Sequence, residues 1–439
     1  MTLQQEPALA PKSAATRFGP LVRPDRVHRT LYTDPAVFAE EMTKVFGGRS
    51  WVYLAHESQL PEPHSFLSVR MGLRPVLVTR DRAGKLHAVF NRCSHRAATI
   101  CREEQGVAKS FQCPYHGWTF RNTGELVGTP WPQGYGPGFD KTEFGLHVVP
   151  RVESYRGFVF GTLNEAAPPV ADWLGPATTW LDYWIDRSPG EVLVRAAAHR
   201  MGYRGNWKLA YDNAGDGYHP AFSHRSLLEM ASRLGESKDM AYFGRTPDDG
   251  PMRTHMLGNG HSVIDQRPNY DGPGSFWANQ RPQPGREAFE ERIRAEHGAD
   301  ADRLLDLCVG SQINLSIFPN LLVIGNQIQV VEPLAVDHTQ LTWHATAVSG
   351  VPPVVNTMRM RTQEDFPAFG EPDDQANFEE VQRGLAAAEA EWVLMNRGFG
   401  VDGWQEVGPD GVVTSTATDE LHMRSYYPAW LALMEEETR

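Results

Sequence analysis

Three of the four cysteines in this chain lie between positions 93 and 116, and the two outer ones are each followed closely by a histidine. Cys93 and His95 form a Cys-x-His pair, and Cys113 and His116 form a Cys-x-x-His pair. Structural zinc sites with two cysteines and two histidines usually keep the cysteines in one pair and the histidines in the other. One thiolate and one imidazole on each arm therefore favour a two-metal centre, with structural zinc as the alternative.

A [2Fe-2S] centre of the Rieske type uses this donor set, because two thiolates hold one iron and two imidazoles hold the other. Neutral imidazoles donate less charge than thiolates, which places the reduction potential at about −150 to +300 mV and suits one-electron delivery. In the second arm, Pro114 is expected to stiffen the loop and Gly117 to let the backbone approach the cluster. The other cysteines, Cys101 and Cys308, are expected to be buried thiols.

A second group of candidate ligands lies in the stretch NWKLAYDNAGDGYHPAFSH, which contains His219 and His224. Two imidazoles and one carboxylate on one face of an iron leave the other positions open, as in non-haem Fe(II) oxygenases. Five residues of separation would put the two rings about 140° apart on an ideal helix. We therefore expect the helix to break or bulge here, with Pro220 at a first helical position.

From the residues alone, three aspartates have to be considered for the carboxylate of this second site. Asp216 precedes His219 by three residues and is expected to hydrogen-bond its ring rather than to bind metal. The stretch FGEPDDQANFEEVQRGL offers Asp373 and Asp374 before a predicted helix, where either could instead be a helix cap. By itself the His-x4-His spacing is a weak motif, and two structural histidines fit it equally well.

The elements around these residues predict an α+β protein. Residues 52 to 161 read as short β runs separated by turns, and a helix is expected after Asp34 and Pro35 because Phe38, Met42 and Phe46 recur at helical spacing. After Pro168 longer strands alternate with helices. The uncharged run from 307 to 331 contains proline, glycines and amides, so buried strands are expected there rather than a membrane span.

Three further expectations concern the second half of the chain. Trp173, Trp180 and Trp184 recur at helical spacing and are predicted to be core residues. The Gly- and Pro-rich residues 244 to 286 are predicted to form a loop or lid beside a cleft. The last clear helix is predicted over residues 375 to 398, closed by Gly398.

The composition argues against two classes of binding partner. The 439 residues carry 42 basic and 54 acidic side chains, a net charge of -12 without long runs, which argues against nucleic acid and anionic membranes. The N-terminal sequence has neither the apolar core of a secretory signal nor the pattern of a transit peptide, so a cytoplasmic protein is expected.

Taken together, these motifs resemble the large (alpha) catalytic subunit of Rieske non-haem iron aromatic-ring-hydroxylating oxygenases. The resemblance is carried by NRCSHRAATI, FQCPYHGWTF, VPRVESYRGFVFG, NWKLAYDNAGDGYHPAFSH, PDDQANFEEVQRG and TATDELHMRSYYPAW. It implies an N-terminal arm over residues 1–45, a small all-β Rieske domain over 46–160, and a larger catalytic domain over 161–439 with an antiparallel sheet surrounded by helices.

The resemblance also assigns roles to residues. It implies that Cys93, His95, Cys113 and His116 bind the cluster, and that His219, His224 and Asp374 bind a mononuclear Fe(II). It implies that Asp216 links His219 to His116 of a neighbouring subunit. The chain departs from the family pattern at Asp212, where many relatives carry glutamate, which leaves the role of Asp212 in a proton network open. With Asp216 and Asp212, Asn213 completes the set of candidate catalytic residues.

The implied reaction is cis-dihydroxylation of an aromatic ring with both atoms of O2, on a substrate that could carry one acidic or amino group. The pocket is expected near Asn213, Phe222, Phe366 and Phe369. Since no strand-GxGxxG-helix unit is present, electrons from NAD(P)H are expected through a separate reductase, with or without a ferredoxin. The assembly is expected to be α3β3 with a small beta subunit, or α3. A Rieske monooxygenase or demethylase is the alternative, followed by an electron-transfer protein with structural histidines.

Overall fold

The computed structural model describes residues 17–186, 190–226, 229, 250–269, 272, 274–278, 280, 282–310, 312–365, 368 and 370–435. Its N-terminal arm contains helices α1 (Thr30–Thr33) and α2 (Pro35–Lys44). The Asp34 side chain caps α2 by accepting a hydrogen bond from Ala36 N at 2.8 Å, and Pro35 occupies a first-turn position. Phe38 and Met42 are buried, as the spacing predicted, and Phe46 is buried just beyond the helix. The first 16 residues of the predicted arm lie outside the described residues.

Three small antiparallel sheets follow the arm, as the β runs predicted. Their strand orders are β6-β5-β4-β7, β10-β9-β8 and β11-β12-β3. The strands are β3 (Val52–His56), β4 (Ser65–Met71), β5 (Arg74–Arg80), β6 (Leu86–Phe90), β7 (Gln105–Val107), β8 (Ser110–Gln112), β9 (Thr119–Arg121), β10 (Leu126–Gly128), β11 (Arg151–Tyr155) and β12 (Phe158–Thr162). Cys93 and Cys113 belong to the hydrophobic core between these strands.

The second half is built on a nine-stranded antiparallel sheet of order β13-β19-β18-β17-β16-β15-β14-β22-β21. The strands are β13 (Val192–Tyr203), β14 (Arg253–Gly258), β15 (His261–Asp265), β16 (Ile313–Ile317), β17 (Leu321–Ile324), β18 (Gln327–Ala335), β19 (His338–Val348), β21 (Glu406–Val407) and β22 (Val413–Thr416). Neighbouring residues of β17 enter two different cores, Leu322 one and Leu321 and Val323 the other, so both faces of the sheet are covered.

Helices cover the two faces of this sheet and its margin. They are α3 (Val170–Leu174), α4 (Ala177–Ile185), α5 (Trp207–Ala214), α6 (Pro220–Ser223), α7 (Ser275–Ala278), α8 (Arg286–His297), α9 (Ala301–Val309), α10 (Pro353–Asp365), α11 (Glu371–Gly384) and α12 (Leu421–Glu435). Trp184 is fully buried, and Trp173 and Trp180 pack against the same core, as predicted. Among the described residues, no helix combines the length and apolar composition needed to cross a bilayer.

The predicted loop over residues 244 to 286 is wrong in its central part. Strands β14 and β15 form a hairpin inside the large sheet, and α7 follows. The glycines that suggested a lid make the turn of this hairpin, where Gly258, Asn259 and Gly260 all have positive φ. Within this stretch, residues 244–249, 270–271, 273, 279 and 281 lie outside the described residues.

The predicted last helix is also corrected. Helix α11 ends at Gly384, and the chain then turns into strand β20 (Trp392–Leu394). This strand completes a three-stranded sheet with β2 (Arg26–His28) and β1 (Val22–Arg23) of the arm. Pairing with the arm, 364 to 368 positions away in sequence, gives residues 392 to 394 backbone partners that their helical composition did not indicate. A later helix, α12, was missed because it contains Pro428.

Candidate functional site

Two loops of the small β region have the same backbone design. We call residues 93–98 and 113–118 the cluster loops. In the first, Ala97 N donates to Cys93 O at 2.9 Å and Cys93 N donates to Ala98 O at 2.8 Å. In the second, Gly117 N donates to Cys113 O at 2.9 Å and Cys113 N donates to Trp118 O at 2.8 Å. The two loops therefore form the same pair of backbone hydrogen bonds.

The matched turns require the same unusual backbone conformation at the fifth residue of each loop. Gly117 has φ +71, and a β-carbon there would lie 2.7 Å from Pro130 Cγ. Glycine was predicted here to let the backbone approach the cluster, and the structure adds two other reasons for it, the left-handed conformation and the contact with Pro130. Ala97 occupies the equivalent position with φ +60, although it is not glycine. Sequence reasoning missed this second position because the alanine gives no signal of a left-handed conformation.

The donor atoms of the cluster loops converge. Cys93 and Cys113 are almost fully buried and lie close enough for each thiol to influence the other, and the ring centroids of His95 and His116 lie 4.6 Å apart. Burial, together with the neighbouring thiol, raises the pKa of Cys93. Nδ1 of His95 is buried and makes no hydrogen bond to any described residue. Two paired thiols beside two facing imidazoles, one with an unsatisfied buried nitrogen, fit a [2Fe-2S] cluster.

The indole of Trp118 holds the His95 ring in place. The two rings are stacked, with centroids 4.9 Å apart and an angle of 7° between their planes. Trp118 Nε1 donates to the hydroxyl of Tyr135 at 2.9 Å, which fixes the indole in turn. Cys101 and Cys308 are buried thiols, as predicted, and burial raises the pKa of Cys101 to about 11.

The second group of donors lies where regular helix stops. Helix α5 ends at Ala214, and the single turn of α6 begins with Pro220, as predicted. His219 directly precedes this turn and His224 directly follows it, so both lie outside the regular helix. The interruption occupies residues 215–219 rather than the interval between the histidines, and this leaves both rings free to turn to the same side.

Helix α11 brings Asp374 to these two histidines. Asp374 Oδ1 lies 3.5 Å from His219 Nε2 and 3.3 Å from His224 Nε2, and one donor atom from each residue falls within 4.8 Å of the others. We call His219, His224 and Asp374 the three-donor site. Burial raises the pKa of Asp374, against the lowering influence of the two rings.

The donors of this site face a common point rather than each other. Asp374 Oδ1 is buried and hydrogen-bonds to no described residue, even though two ring nitrogens face it. Two imidazoles and one carboxylate around a shared point fit a mononuclear iron with open positions on its other side. Asn213 hydrogen-bonds to Asp374 and works to lower the pKa of that carboxyl.

Asp216 and Asp373 lie on the outer sides of the two rings. Asp216 Oδ2 is 3.3 Å from His219 Nδ1, and Asp216 Oδ1 accepts a hydrogen bond from Tyr218 N at 2.6 Å. Burial works to raise the pKa of Asp216, but His219 and the backbone donors outweigh it and hold the pKa below its usual range. Asp373 Oδ2 is 3.4 Å from His224 Nδ1, a contact that sequence reasoning missed because only the fold brings the two together.

Asp212 faces away from this group, toward the arm and α12. Its carboxylate accepts hydrogen bonds from the hydroxyls of Tyr32, at 2.9 Å, and Tyr426. Burial raises the pKa of Asp212 to about 7, although the tyrosines and Lys208 work to lower it. Of the predicted pocket residues, Phe222 is 69% exposed and packs edge-on against Tyr218, while Phe366 and Phe369 lie outside the described residues.

Comparison with known proteins gives the same two parts. Residues 50–152 match a family model described as the Rieske [2Fe-2S] domain, and residues 191–436 match the catalytic domain of the ring-hydroxylating alpha subunit. The chain is 36% identical to the 2-halobenzoate 1,2-dioxygenase large subunit of Burkholderia cepacia, over 85% of this chain and 80% of that protein. It is 34% identical to the toluate 1,2-dioxygenase subunit alpha of Pseudomonas putida, over 88% and 83%.

The fold is also similar to a solved structure. Naphthalene 1,2-dioxygenase with indole bound in its active site superposes with a TM-score of 0.78 at 28% sequence identity. The match covers 94% of this chain and 92% of that one, so it includes the small β region and the large sheet together.

Proposed function

We propose a substrate class and an electron route from one premise: the chain belongs to the family of Rieske-type ring-hydroxylating dioxygenase alpha subunits. It is an oxidoreductase that acts with O2 and with separate electron-transfer partners. The proposed substrate is a benzoate-type aromatic acid, which receives both oxygen atoms on adjacent ring carbons as a cis-diol. Two relatives at 36% and 34% identity, whose names specify halobenzoate and toluate, support this class.

The observation that carries the proposal is the convergence of His219, His224 and Asp374 on one point. We assign these three residues as the ligands of the mononuclear iron, and Cys93, His95, Cys113 and His116 as the ligands of the cluster. When bound, the mononuclear iron supplies activation of O2 and the cluster supplies single electrons.

The residues around the proposed ligands orient the ligand side chains and hold their protons. Asp216 Oδ2 lies 3.3 Å from His219 Nδ1, and Asn213 lies beside Asp374, so the ring and the carboxylate each have a polar neighbour outside the three-donor site. Asp212 is assigned to a hydroxyl network that ties α5 to the arm and α12.

A ring of three subunits is the proposed assembly, with or without a small beta subunit. Exposed aromatic side chains on two different surfaces of one chain support it, because contact between unlike surfaces joins subunits head to tail and makes a ring where the rotation closes. One surface carries Tyr115, 59% exposed beside His116, and Trp131, 81% exposed. The other carries Phe222, 69% exposed, next to the loop of Asp216. In this ring, His116 of one subunit would face Asp216 and His219 of its neighbour and would connect the two sites, with electrons supplied by a separate NAD(P)H reductase, with or without a ferredoxin.

The test is product analysis with ¹⁸O2. The oxygenase, reconstituted with iron and supplied with electrons by a reductase of this class, is given benzoate, halobenzoates, toluates, anthranilate and naphthalene while O2 uptake is recorded. We expect a cis-diol carrying two labels from a benzoate-type acid. One label would identify a monooxygenase instead, and turnover of naphthalene alone would overturn the proposed substrate class.

A further inference from the structure

Asp373, the residue directly before the proposed iron ligand, faces the outer nitrogen of a ligand ring. We propose that Asp373 is a positioning residue: its carboxylate accepts the Nδ1 proton of His224 and so directs Nε2 of that ring toward the metal. The inference rests on the proposed iron site. It divides the adjacent Asp373 and Asp374 into two different tasks.

The geometry of the two rings supports this division. Each ring turns Nε2 toward Asp374 Oδ1, at 3.5 Å for His219 and 3.3 Å for His224. Each ring also has a carboxylate beside Nδ1, Asp216 at 3.3 Å and Asp373 at 3.4 Å. A carboxylate therefore lies beside Nδ1 of both rings, from a residue near in sequence for His219 and from one 149 positions away for His224, and of the two contacts only that of His224 has hydrogen-bond geometry.

A capping role does not account for Asp373. It lies in the first turn of α11, where a carboxylate is favoured by the helix dipole. However, the N-cap of this helix is Gly370, which makes no side-chain capping bond, and Asp373 directs its Oδ2 to His224 instead. Its side chain is 33% exposed while that of His224 is 3% exposed, so the carboxylate closes the ring off from solvent.

A second contact joins α11 to α6. Asn377 lies one helical turn later on the same face of α11, and its Nδ2 donates to Ser223 Oγ at 3.0 Å. The segment of α6 that carries His224 is thus held by α11 at two points. The hydrogen bond of Asn377 goes to Ser223 and not to a ligand ring, which makes Asn377 the matched control for Asp373.

The chemical effect follows from the two distinct nitrogens of imidazole. A carboxylate at Nδ1 stabilises the tautomer with the proton on Nδ1, which leaves the lone pair on Nε2 for the metal. It also increases the basicity of Nε2, and loss of such a partner typically weakens metal affinity about 10–100-fold. Replacement of Asp373 is therefore expected to affect iron binding first, before any effect on the cluster.

The test measures Fe(II) affinity by anaerobic competition with a chromophoric chelator, in wild type, Asp373→Ala, Asp373→Asn and Asn377→Ala. The absorption spectrum of the cluster in each protein reports whether the other site is intact. We expect Asp373→Ala to bind Fe(II) about 10–100-fold more weakly. Asp373→Asn keeps an acceptor oxygen but loses the charge, so its loss is expected to be smaller. Asn377→Ala should bind Fe(II) like wild type.

Each outcome decides one question. If wild type binds no Fe(II) at the three-donor site, the proposed function fails. If wild type binds Fe(II) and both Asp373 variants bind it within twofold of wild type, only the role of Asp373 fails. Equal losses in Asp373→Ala and Asn377→Ala would also overturn it, because the effect would then come from helix contact. If Asp373→Ala does not fold, the isosteric Asp373→Asn decides by the same criterion.

Discussion

All four donors of the cluster loops come from one stretch of 24 residues, whereas the donors of the three-donor site come from positions 219, 224 and 374. The first site is made by two turns with matching backbone hydrogen bonds. The second is made where α5 and α6 stop and α11 begins. The cluster loops therefore depend on local backbone conformation, and the three-donor site depends on how distant elements pack. Variants that disrupt one site at a time test this contrast.

The largest expected effect is the loss of a ligand at the three-donor site. His219→Ala removes one of the three proposed donors to the iron, so product formation should fall by more than about 100-fold, beyond the loss typical for an outer partner. The cluster should keep its absorption and EPR signals, because its loops share no residue with α6. Iron analysis and product yield are measured together. Loss of the cluster signals in this variant would contradict the independence of the two sites.

Asp216→Ala should separate iron binding from electron delivery. Like Asp373, Asp216 supports a ring at Nδ1, so the iron must be supplied in excess to keep the site filled. Under that condition Asp373→Ala should regain turnover, whereas Asp216→Ala should remain on the order of 100-fold slower. The rate at which the reduced cluster is reoxidised in the presence of substrate and O2 is the measurement. Equal recovery in both variants would remove Asp216 from the electron route.

Asp212 lies in neither site and allows a prediction about stability. Its pKa in the folded protein is about 7, above the ordinary value of 3.8, mainly through burial. A group with a raised native pKa supports folding below its unfolded value and loses that support as pH rises toward 7. Asp212→Asn cannot titrate, so relative to wild type it should gain on the order of a few kcal/mol between pH 4 and pH 8.

The measurement for Asp212 is the difference in melting temperature between variant and wild type across this pH range. Asp186→Asn is the control, because the Arg156 partner lowers the pKa of Asp186, which is mostly exposed. That control should show little change, and any change should have the opposite sign. A constant difference between Asp212→Asn and wild type at all pH values would contradict the raised pKa.

The same contrast explains what the sequence could predict. The spacing of the two Cys/His pairs was enough to favour a two-metal centre over structural zinc, and Pro220 correctly marked the start of α6 because proline acts locally. The residues alone did not decide between Asp373 and Asp374, which the family resemblance resolved as Asp374, since the choice depends on how α11 meets α6. The hairpin of β14 and β15 was taken for a loop because its turn is rich in glycine, and β20 was taken for helix because its partner lies in the arm.

The smallest expected effects concern the fifth residues of the two cluster loops. Gly117→Ala should destabilise its loop by about 1–2 kcal/mol, the usual cost of a left-handed conformation, and must also displace Pro130. Ala97→Gly removes a cost of that kind but adds about 0.4–1 kcal/mol of chain entropy, so its net effect should be near zero or slightly stabilising. The midpoint for thermal loss of cluster absorption is measured in both. An equal fall of the midpoint in Ala97→Gly and Gly117→Ala would contradict this expectation. The two loops would then not be energetically equivalent despite their matching hydrogen bonds. The side chain of Ala97 would have to contribute packing that glycine cannot replace.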